Sequence, residues 1–331
     1  MSQVVKNVKI IGTGSYVPSI VYTNKYLETL CSTNDAWIQE KLGIKERRIA
    51  KNDELTSDMA TQAGVRAVED AGLKVMDIDL IIVATATPDR KAPATATIVQ
   101  YKMQANNAAA FDISAVCSGF LYAMSIGSQY IASGVYKNVL VIGADKFSSI
   151  IDWTRRDAVF FGDGAGAVVL SVADVSEGFL AYRIFTDTRE NHFGFTVPAG
   201  GSEMPITNSV MEQGLQYFQM DGKAVFKSAV EVLPKAIKHV LADTGLTIED
   251  IDLMIPHQPS IKILTKTAEI LGLPFEKVMH NMERYANTSG ATIPLLLDET
   301  KKAGKIKKGN NILFAAVGAG WTYGAAIIKW G

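Results

Sequence analysis

Short apolar runs alternate along this chain with longer segments whose apolar residues recur at helical spacing. Leu80-Ile-Ile-Val-Ala84, Ala108 to Ile113, Val139-Leu-Val-Ile-Gly143 and Ala165 to Ser171 have the length and composition of strands buried on both faces. An amphipathic helix is predicted from Ser57 to Ala71, with Gly72 placed to end it. The second half repeats the scheme: helix from Lys223 to Asp243, strand Leu253-Met-Ile255, helix from Ser289 to Ala303, strand from Ile312 to Val317. Strands alternating with helices predict an α/β fold with mainly parallel sheets covered by helices. Residues Ile113 to Tyr136 carry no charge and are long enough to span a bilayer. Ser114, Ser118, Ser125, Ser128, Ser133 and Gln129 make them too polar for lipid, so a helix buried in protein is expected. Asp187 to Gln219 reads as a long loop, of the kind that lines binding sites.

The pattern also repeats in its letters. Asp70 to Ile82 matches Asp243 to Ile255 at eight of thirteen positions, without a gap, at an offset of 173. Gly162-Asp-Gly-Ala-Gly166-Ala pairs with Gly320-Trp-Thr-Tyr-Gly324-Ala at an offset of 158. Two matches in the same order, each near half the chain length, predict two duplicated halves, residues 1–175 and 176–331.

Composition narrows the function classes. Of 331 residues, 33 are Lys or Arg and 34 Asp or Glu, leaving a net charge of −1. That balance lacks the electrostatic footprint of a nucleic-acid binder, and 48% hydrophobic residues exclude disorder. Two cysteines in so long a chain cannot form a disulfide framework, so a cytoplasmic location is expected. Met1 to Lys6 show no signal-peptide pattern, and no membrane association is expected. Gly12-Thr-Gly14 lacks the third glycine of a dinucleotide loop, and too little chain follows Gly318-Ala-Gly320-Trp-Thr-Tyr-Gly324 to build one. Both are expected to serve tight turns and close backbone packing. His192, His239, His257 and His280 have no partner at ligand spacing, so no metal site is predicted.

The two cysteines differ. Cys31 reads as a small, partly buried hydrophobe. Cys117, in Phe111-Asp-Ile-Ser-Ala-Val-Cys117-Ser-Gly119, lies between a predicted strand and the uncharged helix. A thiol there faces a helix N-terminus, which favours thiolate. An inert core cysteine fits the same segment. Adding the repeat offset to Cys117 gives Gly290, in a second turn entering a helix, and the two turns are expected to meet. Cys117, His257 and Asn287 are each predicted beyond a strand end, where parallel α/β sheets bind ligands. A Cys with a distant His and Asn is a nucleophile constellation. His239 reads as a solvated helix residue, whereas His192 and His280 fall in loops.

Read together, these segments resemble one family, the ketoacyl-ACP synthases III of the thiolase-like superfamily. The resemblance runs from Gly12-Thr-Gly14-Ser-Tyr-Val-Pro18 to Gly318-Ala-Gly-Trp-Thr-Tyr-Gly324, through Asn34-Asp-Ala-Trp37, Gly43-Ile-Lys-Glu-Arg47, Ala-Val-Cys117-Ser-Gly, Phe161-Gly-Asp-Gly-Ala-Gly166, Met220-Asp-Gly222, Pro256-His257-Gln258 and Asn287-Thr-Ser. It implies a thiolase-like fold of two α/β halves in five α-β-α-β-α layers, assembled as a homodimer. By resemblance Cys117 accepts an acyl group from acyl-CoA. His257 and Asn287 bind the thioester carbonyl of malonyl-ACP during decarboxylation, and the N–H groups of Cys117 and Ala319 form the oxyanion hole. Condensation then gives 3-oxoacyl-ACP, CO2 and CoA, with no permanent cofactor. Trp37 and Arg155 match positions that stack on the CoA adenine; Lys41, Gly222 and Ser260 fall along the cofactor tunnel. Lys227 and Lys262 are retained toward the acyl carrier protein.

The chain departs from the family pattern in places. His257-Gln-Pro259-Ser260 replaces the usual His-Gln-Ala-Asn, and Glu269 and Ile270 stand where positive charge is common. Ala92 occupies a position where short-chain enzymes often place a Phe that closes the acyl pocket, which implies a roomier pocket. Pro88-Asp89 and His257-Gln-Pro259 are similar to members that make quinolones from aromatic or long acyl thioesters. Fatty-acid initiation is therefore the leading expectation. The same chemistry on a specialised acyl donor, and a non-catalytic acyl-binding partner subunit, are the alternatives.

Overall fold

The central strands carry apolar side chains on both faces, and the chain buries both by placing helices on either side of each sheet. The computed structural model describes residues 7–174, 176–188 and 192–331. The first six residues, read as lacking a signal peptide, and residue 175, the expected division between halves, lie outside these.

The first sheet contains β1 (Asn7–Tyr16), β2 (Leu80–Ala84), β3 (Ala109–Ile113), β4 (Val139–Asp145) and β5 (Gly164–Ala173), in the order β1-β5-β4-β2-β3. The second contains β6 (Gly178–Thr186), β7 (Leu253–Pro256), β8 (Asn311–Gly318) and β9 (Thr322–Lys329), in the order β7-β8-β9-β6. The second sheet repeats the first. Leu80 pairs with Val139 as Leu253 pairs with Ile312, and Val139 with Leu170 as Ile312 with Ile328. The counterpart of β3 is reduced to a single parallel bridge, Met254 to Val278.

Both sheets are mixed, which corrects the expectation of mainly parallel ones. β2 runs parallel to β3 and β4, but β5 is antiparallel to β4 and β1. Likewise β9 is antiparallel to β8 and β6. The cause lies in the connections. A parallel partner needs a crossover helix, and only short 3-10 turns join β4 to β5 and β8 to β9.

Strand alternation distributes side chains between three cores. Leu80 and Ile82 join Val139, Val141 and Phe314 between the sheets, whereas Ile81 and Val83 join Met59 and Ala63 outside the first sheet. Ile312, Phe314 and Ala316 face the middle, and Leu313, Ala315 and Val317 the far side of the second sheet. The helices α1 (Asp35–Leu42), α2 (Thr56–Asp70), α3 (Thr95–Met103), α4 (Gly119–Ala132), α5 (Gly222–Thr244), α6 (Ile261–Leu271) and α7 (Thr292–Lys302) complete the layers. α2 and α3 cover the first sheet, α4 and α7 lie between the sheets, and α5 with α6 covers the second. This is the five-layered thiolase-like arrangement. The uncharged segment is the buried α4, and no described helix is long and apolar enough to cross a membrane.

Two local expectations change. Gly12 and Gly14 lie inside β1, not in a turn; α2 packs so close that a Cβ on Gly12 would stand 2.3 Å from the Ala67 carbonyl. The helix expected from Ser289 starts only at Thr292, because Ser289–Ala291 form a 3-10 turn with Ser289 at φ 52.

The halves meet most tightly where Gly143 of β4 faces this turn. A Cβ on Gly143 would stand 2.1 Å from the Gly290 carbonyl oxygen. Backbone on both sides leaves nothing flexible to yield. Gly143→Ala is expected to lower stability by about 1–3 kcal/mol or more, read as a fall in denaturation midpoint.

Candidate active site

Three segments bring side chains to the seam between the sheets. After β3 ends, the chain forms the 3-10 turn Val116–Ser118 and enters α4. Val116 sits at φ 46, a conformation that β-branched residues rarely adopt. This turn presents Cys117. Gly318 at the end of β8 reaches it: a Cβ there would stand 2.8 Å from the Ala115 carbonyl and 3.0 Å from the Cys117 nitrogen.

His257 follows β7 directly, and its backbone N–H donates to Ala315 at 2.8 Å, extending the strand pairing by one residue. Asn287 does not lie at a strand end, contrary to expectation. It follows the short helix Met282–Tyr285 and is fixed by an isolated bridge to Phe161. Its N–H donates to the Phe160 carbonyl at 3.0 Å, and its carbonyl accepts from Gly162 at 3.1 Å. Its side-chain Oδ1 accepts from the Ser289 N–H at 2.7 Å, which orients the amide NH2 toward the thiol.

Cys117, His257 and Asn287 all line one cavity of about 260 Å³. Its walls are mostly apolar: Phe160, Phe161, Phe195, Val225 and Trp321 among them. The expected meeting of the two turns is present, with the Cys117 thiol donating to Ser289 Oγ at 3.7 Å.

Burial sets the protonation states. It pushes the Cys117 thiol up to about 12 from 9.0, although its contacts with Ser289 and Asn287 work the other way. Burial thus acts against the thiolate that the helix N-terminus is expected to favour. Burial also lowers His257 to about 3 from 6.5, so the imidazole is neutral. His257 Nδ1 lies 2.8 Å from Thr292 Oγ1, which also lies 2.9 Å from the Ser289 carbonyl. One hydroxyl proton serves one of the two. Directed at Nδ1, it leaves Nε2 carrying the N–H; directed at Ser289, it leaves Nε2 an acceptor. Thr292 thus governs the tautomer.

The remaining predicted residues divide. Trp37 and Lys41 of α1, Gly222 at the start of α5, and Ser260 and Lys262 around the start of α6 line the cavity, as does Ala319. Ser260 caps α6, accepting from the Ile263 N–H at 3.4 Å. Lys227 is exposed on α5, next to the cavity residue Phe226. Arg155 is not in the lining; it pairs with Asp157 at 2.6 Å, and the guanidinium over the Trp37 ring is that of Arg156, 3.8 Å from the centroid. Ala92 is exposed on the loop before α3 and does not line this chain's cavity, so within one chain it cannot shape the acyl pocket. His192, His239 and His280 are exposed and off the cavity, and both cysteines are free and buried. Phe160, Phe195, Thr292 and Asp145 were not singled out from the sequence. Asp145 alone carried a signal, a carboxylate ending a wholly apolar strand.

Such a fold and site define an acyltransferase of thiolase-like architecture. Residues 111–188 match the family 3-oxoacyl-[acyl-carrier-protein (ACP)] synthase III, and residues 241–330 its C-terminal region. A β-ketoacyl-[acyl-carrier-protein] synthase III of Caldanaerobacter subterraneus subsp. tengcongensis is 48% identical, covering 97% of each chain. One of Clostridium acetobutylicum is 44% identical, covering 98% of this chain and 99% of its own. The crystal structure of 3-oxoacyl-[acyl-carrier-protein] synthase III from Aquifex aeolicus superimposes with a TM-score of 0.90 at 43% identity, over 98% of this chain and 100% of the other. The chain belongs to the ketoacyl-ACP synthase III family, the condensing acyltransferases of fatty-acid initiation.

Thr292→Val keeps the shape and removes the hydroxyl that faces His257. Leaving Nδ1 without a partner costs about 1–3 kcal/mol, so decarboxylation of a malonyl thioester should slow about ten- to hundredfold. Thr292→Ser should retain most of the rate. Steady-state CO2 release compares the three proteins.

Proposed function

We propose that Cys117 accepts an acyl group from acyl-CoA and that malonyl-ACP then condenses with it, giving 3-oxoacyl-ACP, CO2 and CoA. The observation that carries this is the convergence of Cys117, His257 and Asn287 on one buried, mostly apolar cavity. Sulfur attacks the thioester carbonyl, and the Cys117 and Ala319 N–H groups receive the developing oxyanion beside Gly318. Decarboxylation next places negative charge on the malonyl thioester oxygen. His257 in its Nε2–H tautomer and the Asn287 amide donate to it, and fixed neutral donors in a dry site suit a charge that exists only transiently. The carbanion attacks the acyl carbonyl and expels the Cys117 thiolate. A thiol serves both as nucleophile and as leaving group.

The cavity mouth supports a CoA-like substrate. Trp37 offers an aromatic face for adenine, and Arg156 already lies on that face, as a guanidinium stacks on π systems. Arg155 reaches a nucleotide only by leaving Asp157. Lys41 offers charge to phosphates, and a Cβ on Gly222 would meet nothing within 4 Å, which leaves a path for pantetheine; Ser260 lies along it. Lys227 and Lys262 offer positive charge to the acidic carrier protein. No metal or permanent cofactor takes part in these steps. The relatives' names make a specialised acyl donor or a non-catalytic partner subunit unnecessary. Two free cysteines fit a reducing cytoplasm. The repeated strand register supports division into halves 1–175 and 176–331.

The working unit we propose is a homodimer joined along β3. β3 is the edge of the first sheet, and an unpaired edge invites a second copy. Asp112 of β3 accepts the N–H groups of Thr95 and Ala96 at 2.7 and 2.6 Å, anchoring the loop that carries Ala92 to that edge. Pairing would carry Ala92 toward the partner's cavity.

Intact mass after incubation with acetyl-CoA should show one acetyl adduct on the wild type and none on Cys117→Ala. An unmodified wild type across a panel of acyl-CoA donors would refute the nucleophile. Sedimentation should give a dimer mass. Within it, Ala92→Phe should reduce loading of medium and long acyl groups while sparing acetyl, and unaltered chain-length preference would refute the placement of Ala92.

A further inference from the structure

His257 and Asn287 sit on separate segments, and one buried side chain joins those segments. Gln258 follows His257 directly and is 1% exposed. Its Nε2 donates to the Pro256 carbonyl, the group just before His257, at 2.9 Å, and reaches the Met279 carbonyl at 3.5 Å. Its Oε1 accepts from the Asn281 N–H at 3.1 Å. Carbonyls face one end of the amide and an N–H faces the other, so neither a carboxylate nor a hydrocarbon of this size serves both ends. The sheet explains why an amide stands here. β7 pairs with the segment beside it through the one-residue bridge Met254 to Val278, and the Met279 N–H donates to the Met254 carbonyl at 2.9 Å. The Gln258 amide, with a donor and an acceptor in one plane as in a peptide group, extends that pairing to Asn281.

Asn281 opens the segment that ends in Asn287. Its carbonyl accepts from the N–H groups of Arg284 and Tyr285 at 3.0 and 3.3 Å, and the Ala286 N–H donates to the Met282 carbonyl at 2.9 Å. Glu299 of α7 holds both ends of this turn, accepting from Asn281 Nδ2 at 2.8 Å and from the Tyr285 hydroxyl at 2.7 Å. A displacement at Asn281 is therefore carried to Asn287. The bridge from Asn287 to Phe161 refers the catalytic amide to the first half. The bond from Asn281 to Gln258 refers it to the strand that carries His257.

We propose that Gln258 is a positioning residue, setting the spacing between His257 and Asn287 so that both reach the same thioester oxygen. This rests on their role as paired donors in decarboxylation. Gln258 does not line the cavity, so it acts through the two donors and not on the substrate. Cys117 and its oxyanion hole belong to other segments, the turn after β3 and the end of β8. Loss of Gln258 should therefore separate the two partial reactions: decarboxylation needs the aligned pair, and acyl loading does not.

Gln258→Met keeps the length of the side chain and removes both polar ends; Gln258→Glu keeps an acceptor for Asn281 and loses the donor to Pro256. Two assays read each variant, CO2 release from malonyl-ACP and rapid-quench intact mass of acetyl-CoA loading. A group misplaced by about 1 Å can cost about a hundredfold in rate. In both variants kcat for CO2 release should fall about ten- to hundredfold, with KM for malonyl-ACP changed less than about threefold and loading within about twofold of wild type. On an Asn287→Ala background no pair is left to align, so Gln258→Met should cost less than about threefold more. Unchanged CO2 release overturns the proposal, as does the full penalty repeated on the Asn287→Ala background. So does an equal fall in loading and CO2 release, or failure of both variants to fold; either would mark a merely structural glutamine. Wild-type CO2 release by Asn287→Ala alone would instead remove the donor pair, and the proposal with it.

Discussion

Everything at the site depends on the closeness of two backbones. Gly143 of the first sheet and Gly290 of the second half approach until a single Cβ would stand 2.1 Å from a carbonyl oxygen. The Gly290 N–H is tied to Asp145 at 3.0 Å, two residues further along the same strand. That contact fixes the turn Ser289–Ala291 against β4. Ser289 in turn fixes Asn287, and α7, which follows, brings Thr292 to His257. A looser seam would admit water, and the electrostatic character of the site would change with it.

Dryness explains why the site works with neutral groups. Burial withdraws Cys117 and His257 alike from bulk water, which disfavours the charged forms of both thiol and imidazole. An ion pair between them would need solvation that the cavity does not supply. Charge therefore develops only during the reaction, where oriented N–H donors meet it. A charged site of this depth would have to be stabilised in the resting protein, at the expense of the difference between ground and transition state.

The sequence carried much of this, for identifiable reasons. Strand positions were legible because Leu80 to Ala84 and Ile312 to Val317 are apolar on both faces. The duplication was legible because Asp70 to Ile82 keeps eight matches without a gap. Strand direction was not legible, since apolar runs look alike in parallel and antiparallel pairs and only the brevity of the β4–β5 and β8–β9 links decides. The convergence of Cys117, His257 and Asn287 was legible, yet Asn287 was placed at a strand end. Its support is a one-residue bridge to Phe161, which leaves no periodic trace. The opposing effect of burial on the thiol was not legible, because a helix terminus can be read from a sequence, whereas the depth of burial cannot. The guanidinium over Trp37 belongs to Arg156, one position from the expected Arg155. Backbone course within a 3-10 turn decides which neighbour faces the ring, and residue type does not encode it.

The repeat offset relates the turn that carries Cys117 to its counterpart in the second half. Shifted by 173, Val116 falls on Ser289 and Cys117 on Gly290, and both preceding residues have left-handed backbones, at φ 46 and 52. The two turns are the same device. The same shift takes Asp145 onto Gly318. In one half a strand ends in a carboxylate that accepts the Gly290 N–H. In the other it ends in a glycine pressed against the Cys117 nitrogen, with no acceptor side chain to engage it. One substitution type thus separates two roles. The amide facing a carboxylate is used up in holding the halves together, and the amide facing a glycine meets no acceptor side chain there, which suits the oxyanion we propose for it. A thiol beside the first amide would face the Asp145 carboxylate instead, whose Oδ2 lies 3.4 Å from a Cβ built on Gly290.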